Sequence, residues 1–268
     1  MAQLRDIQLC ELEILKEIDR ICRKHRIPYW LAYGTMLGAV RHKGFIPWDD
    51  DLDIYMRFQD FKRFQSICKT ELGDSYFLQT PLSEPSMPWM IYKVRKNGTK
   101  MMQTGQVFNS TFNFGIWVDI FPLVNFAEEE ADQKKQFDTL KKLQALRYKC
   151  PRIRHDNSLK DVIRKMVVSI IHLKESRLWS KVCRLGNGKS RQQLVVSHLI
   201  VQEYGLAHRD EILYDSSMFE KSSLYEFEGD LFPGINDYNS YLTQCYGETY
   251  MTPRKSAGHT VDYESVLL

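Results

Sequence analysis

"YGTMLGAVRHKGFIPWDDDLDIYM", residues 33–56, places four aspartates in five positions after a Gly-Thr pair and a basic run. Asp49, Asp50, Asp51 and Asp53 repel one another unless a cation sits among them or water surrounds them. Ile46, Pro47 and Trp48 lead into the cluster, and Leu52 and Ile54 alternate with the acids that follow. That alternation predicts a half-buried strand with Asp51 and Asp53 on one face. A solvated acidic loop fits such flanks poorly. A calcium-binding loop fails as well, because Ile54 stands where a glycine is required and Asp60 where a bidentate glutamate is required. A dehalogenase-type phosphatase would need a continuous apolar strand before the acids and Gly-Thr after them.

Two carboxylates on one strand face suit magnesium or manganese, hard cations that prefer oxygen and leave room for phosphate oxygens. Gly34 and Thr35 would open a helix and offer backbone N–H groups to a phosphate. Gly-Thr, a variable stretch and then Asp-x-Asp on a strand is the signature of the nucleotidyltransferase fold. Such a site takes a third carboxylate from a neighbouring strand, and Asp119, inside the apolar run "GIWVDIFPLVNF", is the candidate. Asp51, Asp53 and Asp119 are therefore read as catalytic and metal-binding, with Asp49 or Asp50 orienting the site.

Outward from there, apolar residues at helical spacing predict a helix over 4–24. Short strands are expected in "IPYWLAYG", "DLDIYM", "YFLQT", "WMIYKVRK" and "TKMMQ", with a turn at Asn97-Gly98. A helix turn opening at Thr35 and a helix capped by Asp60 lie between them. Residues 128–206 read as mainly helical and basic. The fold class is α+β: a nucleotidyltransferase-like mixed sheet core over 1–127 and a helical subdomain with a C-terminal tail over 128–268.

The 268 residues, 43% hydrophobic and 26% charged with a net charge of +3, describe an ordinary globular chain. The balance is too mild to announce nucleic-acid binding, and no nucleic-acid partner is expected. Six scattered cysteines without a Cys-x-x-Cys pair point to reduced thiols rather than a zinc ribbon. With no signal-peptide pattern and no apolar run of spanning length, a cytoplasmic location is expected.

Arg41 and Lys43 precede the acids, and Lys93 and Arg95 alternate on "YKVRK"; all four are candidates to neutralise phosphate charge. His42 reads as a surface histidine. Trp48 and Trp89 are candidate walls for a quaternary ammonium, and Tyr246 and Tyr250 would close over the nucleotide or that group.

Together, "YGTMLGAVRHKGFIPWDDDLDIYM", "YKVRKNGT", "GIWVDIFPL" and "YGETYMTP" resemble the LicD family of phosphocholine transferases, which includes the fukutin-related ribitol-phosphate transferases. The resemblance runs from the N-terminal helix to His259. It implies transfer of phosphocholine, or a similar phosphoalcohol, from a CDP-activated donor such as CDP-choline to a sugar hydroxyl. The acceptor would be a glycan or lipid-linked glycan such as a lipooligosaccharide or teichoic acid precursor, reached at the cytoplasmic face of the membrane. Tail residues Arg254, Lys255 and His259 match an abbreviated form of the family's basic-then-His ending. An Asp-x-Asp glycosyltransferase using a nucleotide-sugar and a non-catalytic glycan-binding relative are the alternatives.

Overall fold

The computed structural model describes residues 3–85, 87, 88, 90, 92–103, 112–151, 153, 158–186, 194–197, 213–254 and 261–268. They form two units. One comprises Met1–Gln79, Tyr92–Pro122 and Met218–Leu268; the other comprises Thr80–Ile91 and Leu123–Ser217.

In the first unit, helix α1 (Leu4–His25) buries Ile7, Ile14, Ile18 and Ile21 along one stripe. Strand β1 (Trp30–Leu31) leads into helix α2 (Tyr33–His42), then β2 (Asp53–Arg57) and helix α3 (Phe58–Glu71). Strands β3 (Tyr76–Gln79), β4 (Lys93–Lys96) and β5 (Trp117–Asn125) complete a mixed sheet in the order β1-β2-β5-β4-β3. β2 lies between β1 and β5, which explains why Asp53, Ile54, Tyr55 and Met56 are all buried rather than alternating. The expected turn holds, with Gly98 at φ +81°. "TKMMQ" is not a full strand: Lys100 and Gln103 form isolated bridges with Leu267 and Val261.

Three boundaries differ from the sequence reading. α2 begins at Tyr33 with Ala32 as its N-cap, so Thr35 lies inside the first turn. The helix expected to be capped by Asp60 starts at Phe58, and Asp60 falls in its first turn, where it complements the helix dipole. Strand pairing begins at Asp53, although the Leu52 carbonyl already accepts from the Asp119 N–H at 2.9 Å.

The C-terminal segment Met218–Leu268 is part of this same unit. Strands β8 (Ser222–Phe227) and β9 (Asp230–Ile235) form a hairpin in which Glu228 and Gly229 both take positive φ. Positive φ at both central positions is the two-residue turn that matches strand twist. Glu228 pins the tip: its N–H donates to the Lys43 carbonyl, and its carboxylate accepts from the Phe45 N–H and the Arg5 guanidinium. Helix α6 (Tyr238–Tyr246) follows, capped by the Asp237 side chain. Tyr241 is buried and its hydroxyl accepts from the Tyr33 N–H, a donor that α2 cannot satisfy itself.

The second unit contains helices α4 (Glu130–Tyr148) and α5 (Leu159–Leu185), packed against each other. Residues 194–197, expected to be helical, instead form strand β6 (Leu194–Ser197), which pairs with Leu123–Asn125 of β5 and with β7 (Tyr214–Asp215). Three β-branched or leucine residues in a row suit a strand, and a neighbouring edge decides the matter. Arg147 is fully buried, pairs with Glu175 at 3.2 Å and donates to the Pro85 and Met87 carbonyls. Arg147→Ala should therefore cost this unit about 3–5 kcal/mol, since it strands a buried carboxylate and two carbonyls. Chemical denaturation of the variant checks this; a loss below about 1 kcal/mol would mean that the network contributes little.

Candidate functional site

The site grows from the turn between β1 and α2. Tyr33 sits at φ +41°, a left-handed conformation uncommon for a tyrosine, and it brings Gly34 and Thr35 into the first helical turn. Thr35 is buried, and its hydroxyl accepts from the Asp53 N–H at 2.8 Å. The Gly-Thr pair is thereby tied to the Asp-x-Asp strand, and Thr35 acts on Asp53 through the backbone. At Gly34 a Cβ would lie 2.5 Å from Asp49 Oδ2, so a side chain there would displace that carboxylate.

Asp49, Asp50 and Asp51 each offer a carboxylate oxygen within 4.8 Å of the others, a grouping that fits a divalent cation. Asp50 is buried and its Oδ2 accepts from the Val261 N–H at 3.1 Å. Asp53 is buried too, and burial followed by the charges of Asp51, Asp119 and Asp49 pushes its pKa well up.

Asp119 arrives on β5, directly opposite Lys93 on β4. The Lys93 ammonium donates to Asp119 Oδ2 at 2.8 Å, and the Trp117 indole N–H donates to the same oxygen at 2.7 Å. Both bonds leave Asp119 Oδ1 outside the pair. Lys93 also sits 4.0 Å from the Trp117 ring centroid, and burial lowers its pKa against the opposing pull of Asp119.

Beside the acids, a cavity of about 230 Å³ is lined by Gly34, Arg41, Trp48, Asp49, Tyr246 and Tyr250, among others. Arg41 is fixed by donating to the Tyr250 carbonyl at 2.9 Å. The cavity thus joins residues 34–49 to the turns after α6, including Arg254.

Two of the expected phosphate ligands are engaged elsewhere. Lys43 pairs with Glu226 on the hairpin at 3.0 Å. Arg95 is buried, donates to Gln79 Oε1 and the Gly115 carbonyl at 2.6 Å each, and stacks on Trp117. A short β3–β4–β5 cross-strand row explains this second case, because Phe77, Arg95 and Trp117 are register partners. Trp89, Lys255 and His259 lie outside the described residues.

Glu11 was missed. It lies in the middle of the α1 stripe, fully buried, and neither carboxylate oxygen has a hydrogen-bond partner among the described residues. Burial pushes its pKa well up, and the charges of Asp51, Asp50, Asp53 and Asp49 add to that. Its signal was legible: an acid replaces the apolar residue due between Ile7 and Ile14. Gln8, three residues earlier on α1, donates to the Asp49 carbonyl at 2.9 Å.

Residues 26–148 match the LicD/FKTN/FKRP nucleotidyltransferase domain. Over 253 residues, 93% of this chain and 92% of the relative, the sequence is 27% identical to the lipopolysaccharide cholinephosphotransferase LicD of Haemophilus influenzae. A shorter match, 34% identity over 68 residues, relates 24% of the chain to 14% of the ribitol 5-phosphate transferase FKRP of Mus musculus. An uncharacterised Rickettsia typhi protein is 47% identical over 55 residues, 20% of this chain and 18% of that protein. The Gly-Thr turn, the Asp-x-Asp strand and the Asp119 strand all fall within the matched span, residues 26–148, over which the chain is similar to the LicD/FKTN/FKRP nucleotidyltransferase domain.

Proposed function

We propose that the protein is a divalent-metal-dependent transferase. It would move phosphocholine, or a similar phosphoalcohol, from a CDP-activated donor to a sugar hydroxyl of a surface-glycan precursor. The observation that carries this reading is the aspartate group beside a cavity bearing Arg41, Trp48 and Tyr246. The names of the LicD and FKRP relatives, both phosphoalcohol transferases, support it. A cytoplasmic enzyme working on lipooligosaccharide or teichoic acid precursors goes with the same reading.

Asp51, a member of that grouping, would hold magnesium or manganese together with Asp53 and Asp119, which lie outside it among the described residues, and Asp49 and Asp50 would shape the approach. The bound ion would neutralise phosphate charge and stabilise the departing CMP. Arg41 would meet the donor diphosphate through its planar fork, and the first-turn N–H groups of Gly34 and Thr35 would face the same charge. Trp48 and Tyr246 present aromatic faces suited to a quaternary ammonium. A carboxylate of this group would take the acceptor hydroxyl proton as the new O–P bond forms and the P–O bond to CMP breaks.

Incubation with CDP-choline, CDP-ribitol or CDP-glycerol, magnesium and a glycan acceptor should release CMP. Turnover with UDP-sugars and with no CDP-alcohol would overturn the reading. Lys93 is a positioning residue in this scheme. Lys93→Met should lower kcat by roughly 10–100-fold while leaving the donor KM within about threefold, with Lys93→Arg restoring part of the loss. An equal rise in KM would instead place Lys93 on the donor.

A further inference from the structure

The outward face of α5 carries an apolar row that is exposed among the described residues. Leu159, Ile163, Met166, Ile170 and Leu173 recur at alternating four- and three-residue spacing, which sets them on one side of the helix. They are 77%, 47%, 57%, 51% and 63% exposed, respectively. The opposite side is the packed one, with Asp161, Val168, Ile171, Glu175 and Val182 buried. At 1.5 Å per residue the row runs about 21 Å. A row that long on a charged helix marks an interaction surface rather than scattered surface hydrophobics.

Charge identifies the occupant. Past Leu173 the same side continues as Lys174, Arg177, Lys181 and Arg184, and Lys160 flanks the first turn. The two acids of the helix, Asp161 and Glu175, are both turned inward and buried. In a parallel pairing, a second copy of this helix would bring cations against cations with no acid of the helix to answer them. An anionic surface answers all of them. At 27 residues the helix has the length to span a bilayer, but it is not apolar enough to do so. An exposed apolar row continued along the same side by a basic one suits a helix that rests on an anionic bilayer, its apolar part at the acyl boundary and its cations among the headgroups.

We infer that the outward face of α5 is a docking surface for an anionic lipid bilayer. This inference rests on α5 alone and holds whatever the active site transfers. Flotation with phosphatidylcholine vesicles containing about a third phosphatidylglycerol, and with pure phosphatidylcholine vesicles, tests it on the full chain. The protein should float with the anionic vesicles and stay behind with the neutral ones. Ile163→Glu combined with Ile170→Glu, and separately Lys174→Glu combined with Arg177→Glu, should each weaken binding at least about tenfold. These positions face outward, so circular dichroism and melting temperature should not change, and vesicle binding reads them independently of catalysis. Failure to float with anionic vesicles overturns the inference, as does binding that neither pair of substitutions weakens. A vesicle-indifferent dimer that Ile163→Glu dissociates would overturn it in favour of a second copy.

Discussion

Asp51→Ala and Asp53→Ala are each expected to lower CMP release from CDP-choline by about 10³-fold or more. That exceeds the 10–100-fold usual for loss of an outer partner, because each change removes an oxygen proposed to hold the ion itself. Asp53 has the stronger structural warrant: it is buried, its N–H is held by Thr35, and the charges of Asp51, Asp119 and Asp49 bear on it. The donor KM should change far less than kcat, since Arg41 and the cavity remain. Single-turnover CMP formation separates the two effects. Activity within about tenfold of the parent for either variant would remove that residue from the catalytic set. The same assay on Asp49→Ala and Asp50→Ala ranks the acids, and losses nearer 10–100-fold are expected there.

The second large effect is a metal- and pH-dependent stability. Asp53 and Glu11 have pKa values raised in the folded protein, chiefly by burial. Above the ordinary carboxylate range the metal-free native state therefore binds more protons than the unfolded chain, so its stability falls as pH rises through the raised values. A bound cation reverses this by favouring the ionised acids. At pH 7.5, magnesium at about 100 times its Kd should add about 2.7 kcal/mol, a melting shift of roughly 5–10 °C. That gap should shrink steadily as pH falls toward 5, where protons compete with the ion. Carboxylates with lowered pKa values, such as Glu17 and Glu228, contribute the opposite slope but are common to both conditions. The difference between magnesium and chelator scans isolates the site. A melting shift that is absent, or equal at pH 5 and 7.5, would contradict a cation among these acids. Asp53→Asn should flatten the dependence.

Much of this was legible locally. The apolar stripe of residues 4–24, the turn at Gly98 and the strand around Asp119 follow from periodicity and turn chemistry, which need only neighbouring residues. The helix start moved to Tyr33 because its first N–H is satisfied by Tyr241, some two hundred positions away. The β8–β9 hairpin carried a readable signal, alternation around Glu228-Gly229, but its attachment through Arg5, Lys43 and Phe45 did not.

What the sequence by itself determined is the residue set: four aspartates behind Gly-Thr and a fifth in an apolar strand, on which the proposed cation and phosphate sites rest. What only the tertiary structure decided is which charges are available to it. Strand register sets Lys93 against Asp119, packing locks Arg95 onto Gln79 and Gly115, and the hairpin draws Lys43 to Glu226. Folding also carries Glu11 behind the acids and brings Tyr246 and Tyr250 to the cavity. Residue type and spacing specify which groups can ionise or ligate. Which of them are neutralised, buried or open depends on partners distant in the chain, and only the folded arrangement brings those partners within a few ångströms.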